Sequence, residues 1–178
     1  MQYHVIAAVR SQEDFKAALQ SRVSIIFDLN PDILTLYDNV KSVHDAGKKL
    51  YIHLDLAMGI GKDKIGVLYA AKAGVDGIIS TRVNIIKLAR EVGLFTVQRV
   101  FAVDSQSIST TVESLKTSKP DMVEIMPGII PKVIKRLVSE INMPIIAGGL
   151  LEDRTEIEEA AKSGATAVST GAKALWNL

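Results

Sequence analysis

An α/β fold whose parallel strands close into a ring, a (β/α)8 barrel, is what the sequence predicts, on three observations. Short β-branched apolar runs alternate with longer helix-like ones along the whole chain. The strand candidates are near-continuous apolar runs rather than alternating ones, as expected of parallel strands covered on both faces. There are eight of them, the count that closes such a ring.

The strands are expected at His4–Val9, Ser24–Leu29, Lys49–Leu54, Gly77–Ser80, Phe95–Phe101, Met122–Ile125, Pro144–Ala147 and Ala165–Ser169. Between them run helix-like stretches such as "DILTLYDNVKSVHDAG", "DKIGVLYAAKAG", "NIIKLAREVG", "KVIKRLVSEI" and "RTEIEEAAKSG". Several end on glycine, the residue that most easily takes the left-handed conformation that stops a helix. The chain of 178 residues is short for this architecture, which usually takes about 250 and at the low end about 200. It is read as one barrel domain spanning 1–178, a compact TIM-type barrel with minimal loops. After the last strand only "GAKALWNL" remains, too short for a full outer helix. The eighth helix is therefore expected to be short or missing, leaving an apolar flank between the last and first units that another subunit could cover. An open doubly wound sheet is the alternative, and usually has fewer strands.

An internal echo supports the ring. "AMGIGKDKIGVLYAAKAG" (57–74) and "AGGLLEDRTEIEEAAKSG" (147–164) align at an offset of 90, about half the chain. Ala57, Gly59, Asp63, Ala70, Ala71, Lys72 and Gly74 match Ala147, Gly149, Asp153, Ala160, Ala161, Lys162 and Gly164, and both stretches run on into a strand ending in Ser-Thr.

Composition bounds the function. The apolar fraction of 48% and charged fraction of 23% are those of an ordinary globular protein, and no apolar run is long enough to span a membrane. The N-terminal apolar stretch is too short for a signal peptide. With no cysteine there is no disulfide framework, thiolate nucleophile or Cys-based zinc site, and the cytoplasm is the expected compartment. A net charge of +1 makes no global case for nucleic acid. Aromatic residues, at 5%, are too sparse to indicate base stacking.

In this fold function sits at the C-terminal ends of the strands. The first three ends supply Arg10, then Asp28 and Asn30, then His53 and Asp55. The next three supply Ser80, Thr81 and Arg82, then Gln98, Arg99 and Asp104, then Glu124 with "MPG" (126–128). The last two supply "AGG" (147–149) and "STG" (169–171). Glycine-freed N–H groups in these last two loops make an anion site, and phosphate recurs there in such barrels. Gly148, Gly149 and Gly171 leave room for close approach, and Ser169 and Thr170 are expected to add hydroxyl donors. The plainer reading is that the glycines only turn the chain. Asp55 and Glu124 could accept from ligand hydroxyls, while Arg10, Arg82 and Arg99 could neutralise a phosphate or pair with the two acids.

Other motifs fail. "GIGKD" lacks the first glycine and the Ser/Thr of a phosphate-binding P-loop: Leu56 and Asp63 stand in those places. No dinucleotide fingerprint, nucleophile elbow or second histidine cluster accompanies "HLD" (53–55), so neither cofactor nor metal is expected.

"IHLDLAMGIGKDK", "GIISTRVNIIKLAREVGLFTVQRVF", "PDMVEIMPGIIPKVIK", "PIIAGGLLE" and "STGAKALWNL" together resemble the bacterial glycerol-uptake operon antiterminator family, collinearly and over almost the whole chain. The resemblance implies a cytoplasmic regulator that senses glycerol 3-phosphate and acts on the leader mRNA of glycerol-utilisation genes. It implies a phosphate role for Gly148, Gly149, Ser169, Thr170 and Gly171, with Asp55, Arg82, Arg99 and Glu124 at further matching positions. Two positions depart from the family's pattern: Met58, where an acidic residue is common, and Gly171-Ala172, where a Ser-Asn pair is common. The competing class is a small phosphate-binding barrel enzyme, an isomerase, epimerase or lyase, with Asp55 and Glu124 as its acid and base.

Overall fold

The computed structural model describes residues 4–178. Eight parallel strands form a closed barrel in sequence order, β1 pairing with both β2 and β8. The strands are β1 (His4–Val9), β2 (Ile25–Asp28), β3 (Lys49–His53), β4 (Gly77–Ser80), β5 (Phe95–Phe101), β6 (Met122–Met126), β7 (Ile145–Gly148) and β8 (Ala167–Thr170). The outer helices are α1 (Gln12–Gln20), α2 (Leu36–Asp45), α3 (Lys64–Lys72), α4 (Val83–Glu91), α5 (Ser105–Ser118), α6 (Pro131–Glu140) and α7 (Arg154–Lys162). The last two strands start later than their apolar runs suggest. Pro144 has no N–H to give a ladder, and β8 gains Thr170 at its far end.

Strand alternation divides the core. Ile6, Phe27, Tyr51, Ile79, Val97 and Ile146 fill the barrel interior. Phe27, Tyr51 and Phe95 pack ring on ring there, with centroids 5.7 and 5.3 Å apart. Residues of the opposite parity, such as Leu50, Ile52 and Ile78, pack outward under the helices.

The expected echo is real in the helices. Asp63 and Asp153 are both N-caps, accepting from the N–H groups of Gly66 and Glu156 at 2.9 Å. Gly74 and Gly164 close α3 and α7 at φ +88° and +106°. The strand ends need one correction. Ser80 corresponds to Thr170, not Ser169: each hydroxyl accepts from the N–H two residues on, Arg82 and Ala172, at 3.0 Å. Ala57 and Gly59 lie beyond a 3-10 turn (Leu54–Leu56), whereas Ala147 is inside β7, so those two matches are not structurally equivalent.

Among the described residues no eighth outer helix follows β8. A single 3-10 turn, Lys173–Leu175, follows β8. The flank expected to lie open is nevertheless closed by the chain's own tail. Trp176 is 2% exposed, packs in the cluster of Ala7, Val9, Phe15 and Ala18, and donates Nε1–H to the Thr170 carbonyl at 2.8 Å. Leu175 joins Val168 on the other side of the seam. Lys173 pins the tail to α1 through Glu13 and Asp14, at 2.8 and 2.9 Å.

Candidate ligand site at the barrel mouth

A cavity of about 500 Å³ opens at the C-terminal ends of the strands. Its floor comes from inward-facing residues of three strands. Arg99 and Glu124 stand side by side on β5 and β6, and the Arg99 Nε–H donates to Glu124 Oε2 at 2.6 Å. Ser169, on β8, donates to Glu124 Oε1 at 2.5 Å. All three are buried. The arrangement requires glycine at 148: a Cβ there would stand 2.6 Å from both Glu124 Oε1 and Ser169 Oγ. The carboxylate is thus charge-compensated from one side and hydrogen-bonded from the other, the condition under which a buried ion is tolerated.

The wall is formed by the loops after β7 and β8. Gly149 and Leu150 take φ of +78° and +60° in succession. For a leucine that conformation is costly, and such outliers concentrate where a loop has a task. Thr170 ties the two loops together, donating its hydroxyl to the Leu151 carbonyl at 2.6 Å while accepting from Ala172 N–H. The expected hydroxyl donors are therefore committed elsewhere, Ser169 to Glu124 and Thr170 to Leu151. The donors left over are main-chain ones. Among the described residues the N–H groups of Gly149, Leu150, Leu151 and Gly171 form no intramolecular hydrogen bond. All four residues line the cavity, as does Arg10 at the rim.

The residues expected at the site are only partly brought together. Arg10, Arg99, Glu124, Gly149, Ser169, Thr170 and Gly171 line the cavity, with Gly148 directly behind the floor. Asp55 and Arg82 do not line it. Asp55 turns onto the end of β4, where its carboxylate accepts from Ser80 Oγ (2.6 Å), Thr81 N–H (2.7 Å) and Thr81 Oγ1 (2.8 Å). Burial alone would raise this carboxyl, but the nearby His53 ring and the Ser80 and Thr81 donors hold it well below the usual carboxylate range. Arg82 Nε stands 4.0 Å away and is about half exposed. The acid–base pair of the enzyme alternative, Asp55 with Glu124, is consequently not brought into one pocket. Sequence reading missed Leu150, Leu151 and Glu152. The one local signal was their position immediately after a glycine pair at a strand end.

The two halves of the barrel explain each other here. Thr81 and Gly171 occupy equivalent places, each one residue past the hydroxyl that caps the turn. In the first half the N–H of this residue holds an internal anion, the Asp55 carboxylate. In the second half the same N–H is uncommitted and faces a cavity.

Sequence comparison fixes the kinship of this geometry. A family model described as "Glycerol-3-phosphate responsive antiterminator" matches residues 5–176. The chain belongs to that family. An uncharacterized protein of Escherichia coli K12, YgcP, is 36% identical over 175 residues, covering 98% of this chain and 92% of its own length. The crystal structure of a glycerol uptake operon antiterminator regulatory protein from Listeria monocytogenes superimposes with a TM-score of 0.93 at 32% identity, over 99% of this chain and 96% of the other. A glycerol uptake operon antiterminator-related protein from Thermotoga maritima gives 0.87 at 32% identity, over 99% of both chains. Orotidine 5'-phosphate decarboxylase from Pyrococcus horikoshii shares the barrel at 18% identity and a TM-score of 0.74, a likeness of fold alone. Among the described residues of this antiterminator-family chain, no helix is long and apolar enough to cross a membrane.

Proposed function

We propose that this family member senses glycerol 3-phosphate at the barrel mouth and, when loaded, acts in the cytoplasm on the leader mRNA of glycerol-utilisation genes. The observation that carries the ligand reading is the uncommitted Gly171 N–H, whose counterpart Thr81 N–H already holds a carboxylate in the other half of the barrel. Three neighbouring N–H groups on the 149–151 loop and Arg10 extend the anion site. The Arg99–Glu124 pair on the floor offers both donors and acceptors to the glycerol hydroxyls. A cavity of about 500 Å³ is within the range of small-ligand sites. The regulator reading over a catalyst rests on family membership and on Glu124, the one acid on the floor, being tied to Arg99 and Ser169.

Calorimetry with glycerol 3-phosphate tests the ligand. Gly171→Pro removes the N–H and is expected to weaken binding about tenfold or more. Gly171→Ala keeps it, and its Cβ meets only an ordinary 3.6 Å contact with the Ala8 carbonyl, so binding should persist. No heat with the unaltered chain, or equal loss in both variants, would refute the site. Binding to a glycerol-operon leader RNA, with and without the ligand across a salt series, tests the output. A response identical for any RNA and driven only by salt would argue against specific recognition.

A further inference from the structure

The strand register stacks the barrel interior in levels. In such a ring the strands tilt, so a level climbs about one residue from each strand to the next, and alternate strands supply its four side chains. Ala8 pairs through Phe27 with Tyr51, and two residues further along β3 stands His53. The same step leads from His53 through Ile79 and Val97 to Arg99, and from Arg99 through Glu124 and Ile146 to Gly148. From Gly148 it returns through Ser169 and Ile6 to Ala8. Ala8, His53, Arg99 and Gly148 therefore form one closed level. Glu124 and Ser169 belong to the level beneath, with Phe27 and Ile79. The mouth cavity is lined by Ala8 and Arg99 of the upper level and by Glu124 and Ser169 of the lower, so it passes through the level that holds His53. Strands four apart in the ring lie opposite each other, so His53 faces Gly148 across the axis and Arg99 faces Ala8. The protein fills this level only by half.

His53 is buried, and neither of its ring nitrogens has a hydrogen-bond partner. Among the described residues no other fully buried side-chain nitrogen or oxygen is in that condition. Its neighbour Asp55 stands 3.6 Å from Nε2, beyond hydrogen-bond length, and accepts from Ser80 and Thr81 instead. Leaving such a group unsatisfied is costly, and native structures seldom do so without a task for it. We propose that His53 recognises a hydroxyl of the mouth ligand and so makes the site prefer a polyol phosphate to a plain alkyl phosphate. This rests on the phosphate reading of the cavity. With the phosphate on the free N–H groups of the two loops, the carbon chain descends beside Arg99 into the half-filled level. A hydroxyl there meets the imidazole from the Gly148 side. It can donate and accept, so it satisfies a ring nitrogen in either role. An alkyl chain in the same place brings only C–H groups and leaves the ring orphaned, the situation in which a site built for a hydroxyl rejects the analogue that lacks it.

Calorimetry with glycerol 3-phosphate and with n-propyl phosphate is the test, on the full chain and on His53→Leu. The second ligand has the phosphate and the three carbons without the hydroxyls. The unaltered chain is expected to bind glycerol 3-phosphate at least about tenfold more tightly. His53→Leu should weaken glycerol 3-phosphate about tenfold and leave n-propyl phosphate within about twofold, so that the preference collapses. A merely structural role for His53 would move both ligands together. Circular dichroism establishes that the variant is folded before its affinity is read, and His53→Phe, a ring without nitrogens, gives the same reading should the leucine variant not fold. Equal affinity of the unaltered chain for the two ligands overturns the assignment. So does a loss on substitution that both ligands share, or glycerol 3-phosphate binding that the substitution leaves unchanged. In those cases binding of n-propyl phosphate to the unaltered chain keeps the phosphate reading intact. That reading fails instead when neither ligand binds the unaltered chain, and the role of His53 falls with it.

Discussion

Asp55 and Asp28 are two largely buried carboxyls at the same end of the barrel, and their surroundings drive them in opposite directions. For Asp55 burial acts upward, but the His53 ring and the Ser80 and Thr81 donors prevail and hold the group well below its ordinary value. A lowered carboxyl stabilises the fold above the unfolded value of about 4, and that stability is lost as pH falls below it toward the folded value. Asp55→Asn is therefore expected to cost about 2 kcal/mol at neutral pH, with the difference from the unaltered chain shrinking below pH of about 4 when urea unfolding is compared across pH. Asp28 is the reverse case. Burial, only partly offset by the Asn30 N–H, pushes its carboxyl up to about 6. When both states are protonated it costs nothing; as pH rises from about 4 to about 6 the unfolded chain ionises first, and the penalty is complete above that. Asp28→Asn should accordingly stabilise the fold at neutral pH by about 2–3 kcal/mol and leave it unchanged near pH of about 4. Thermal melts at the two pH values read this directly.

At the scale of elements, the barrel manages two difficulties with short pieces of chain. Helices α3 and α7 carry the same N-cap, Asp63 and Asp153, and α7 adds a capping box through Glu156. Changing either aspartate to alanine is expected to lower stability by about 1 kcal/mol, seen as a shift of the urea midpoint at constant slope. Where an eighth helix would pack, the described residues place a turn and one large side chain. Trp176, the single tryptophan, closes the seam between β8, β1 and α1 and anchors to the Thr170 carbonyl. Trp176→Ala is expected to cost about 3–5 kcal/mol by chemical denaturation followed by circular dichroism. It should also weaken ligand binding at the mouth, because Thr170 belongs to the wall as well. Tail and cavity wall thus share a residue.

For the whole molecule, the two half-barrels differ in what their strand ends hold. In the β3–β4 half the Thr81 N–H holds a carboxylate of the chain itself; in the β7–β8 half the equivalent Gly171 N–H is left open, while the Thr170 hydroxyl is given to the Leu151 carbonyl. On the proposed function, glycerol 3-phosphate at about a hundred times its dissociation constant should raise the stability by about 2.7 kcal/mol, a rise in Tm that Gly171→Pro cuts to about half or less and Gly171→Ala retains. Most of this architecture was legible in the chain. The eight β-branched runs, the glycine-terminated helices and the half-chain echo follow from local periodicity and turn chemistry, which adjacent residues encode. The loops that bound the candidate cavity were legible, since Gly148, Gly149 and Gly171 mark where the backbone opens. The roles of single side chains were not. Ser169 commits its proton to Glu124, 45 residues away, and Asp55 is captured by Ser80 and Thr81, 25 and 26 residues away. A hydroxyl or carboxylate looks the same in sequence whether its partner is a ligand or a distant strand. Local pattern by itself determined the ring and the loops that open from it. Only closure of the ring decided which polar groups those loops leave free, because hydrogen-bond partners are settled by three-dimensional neighbours.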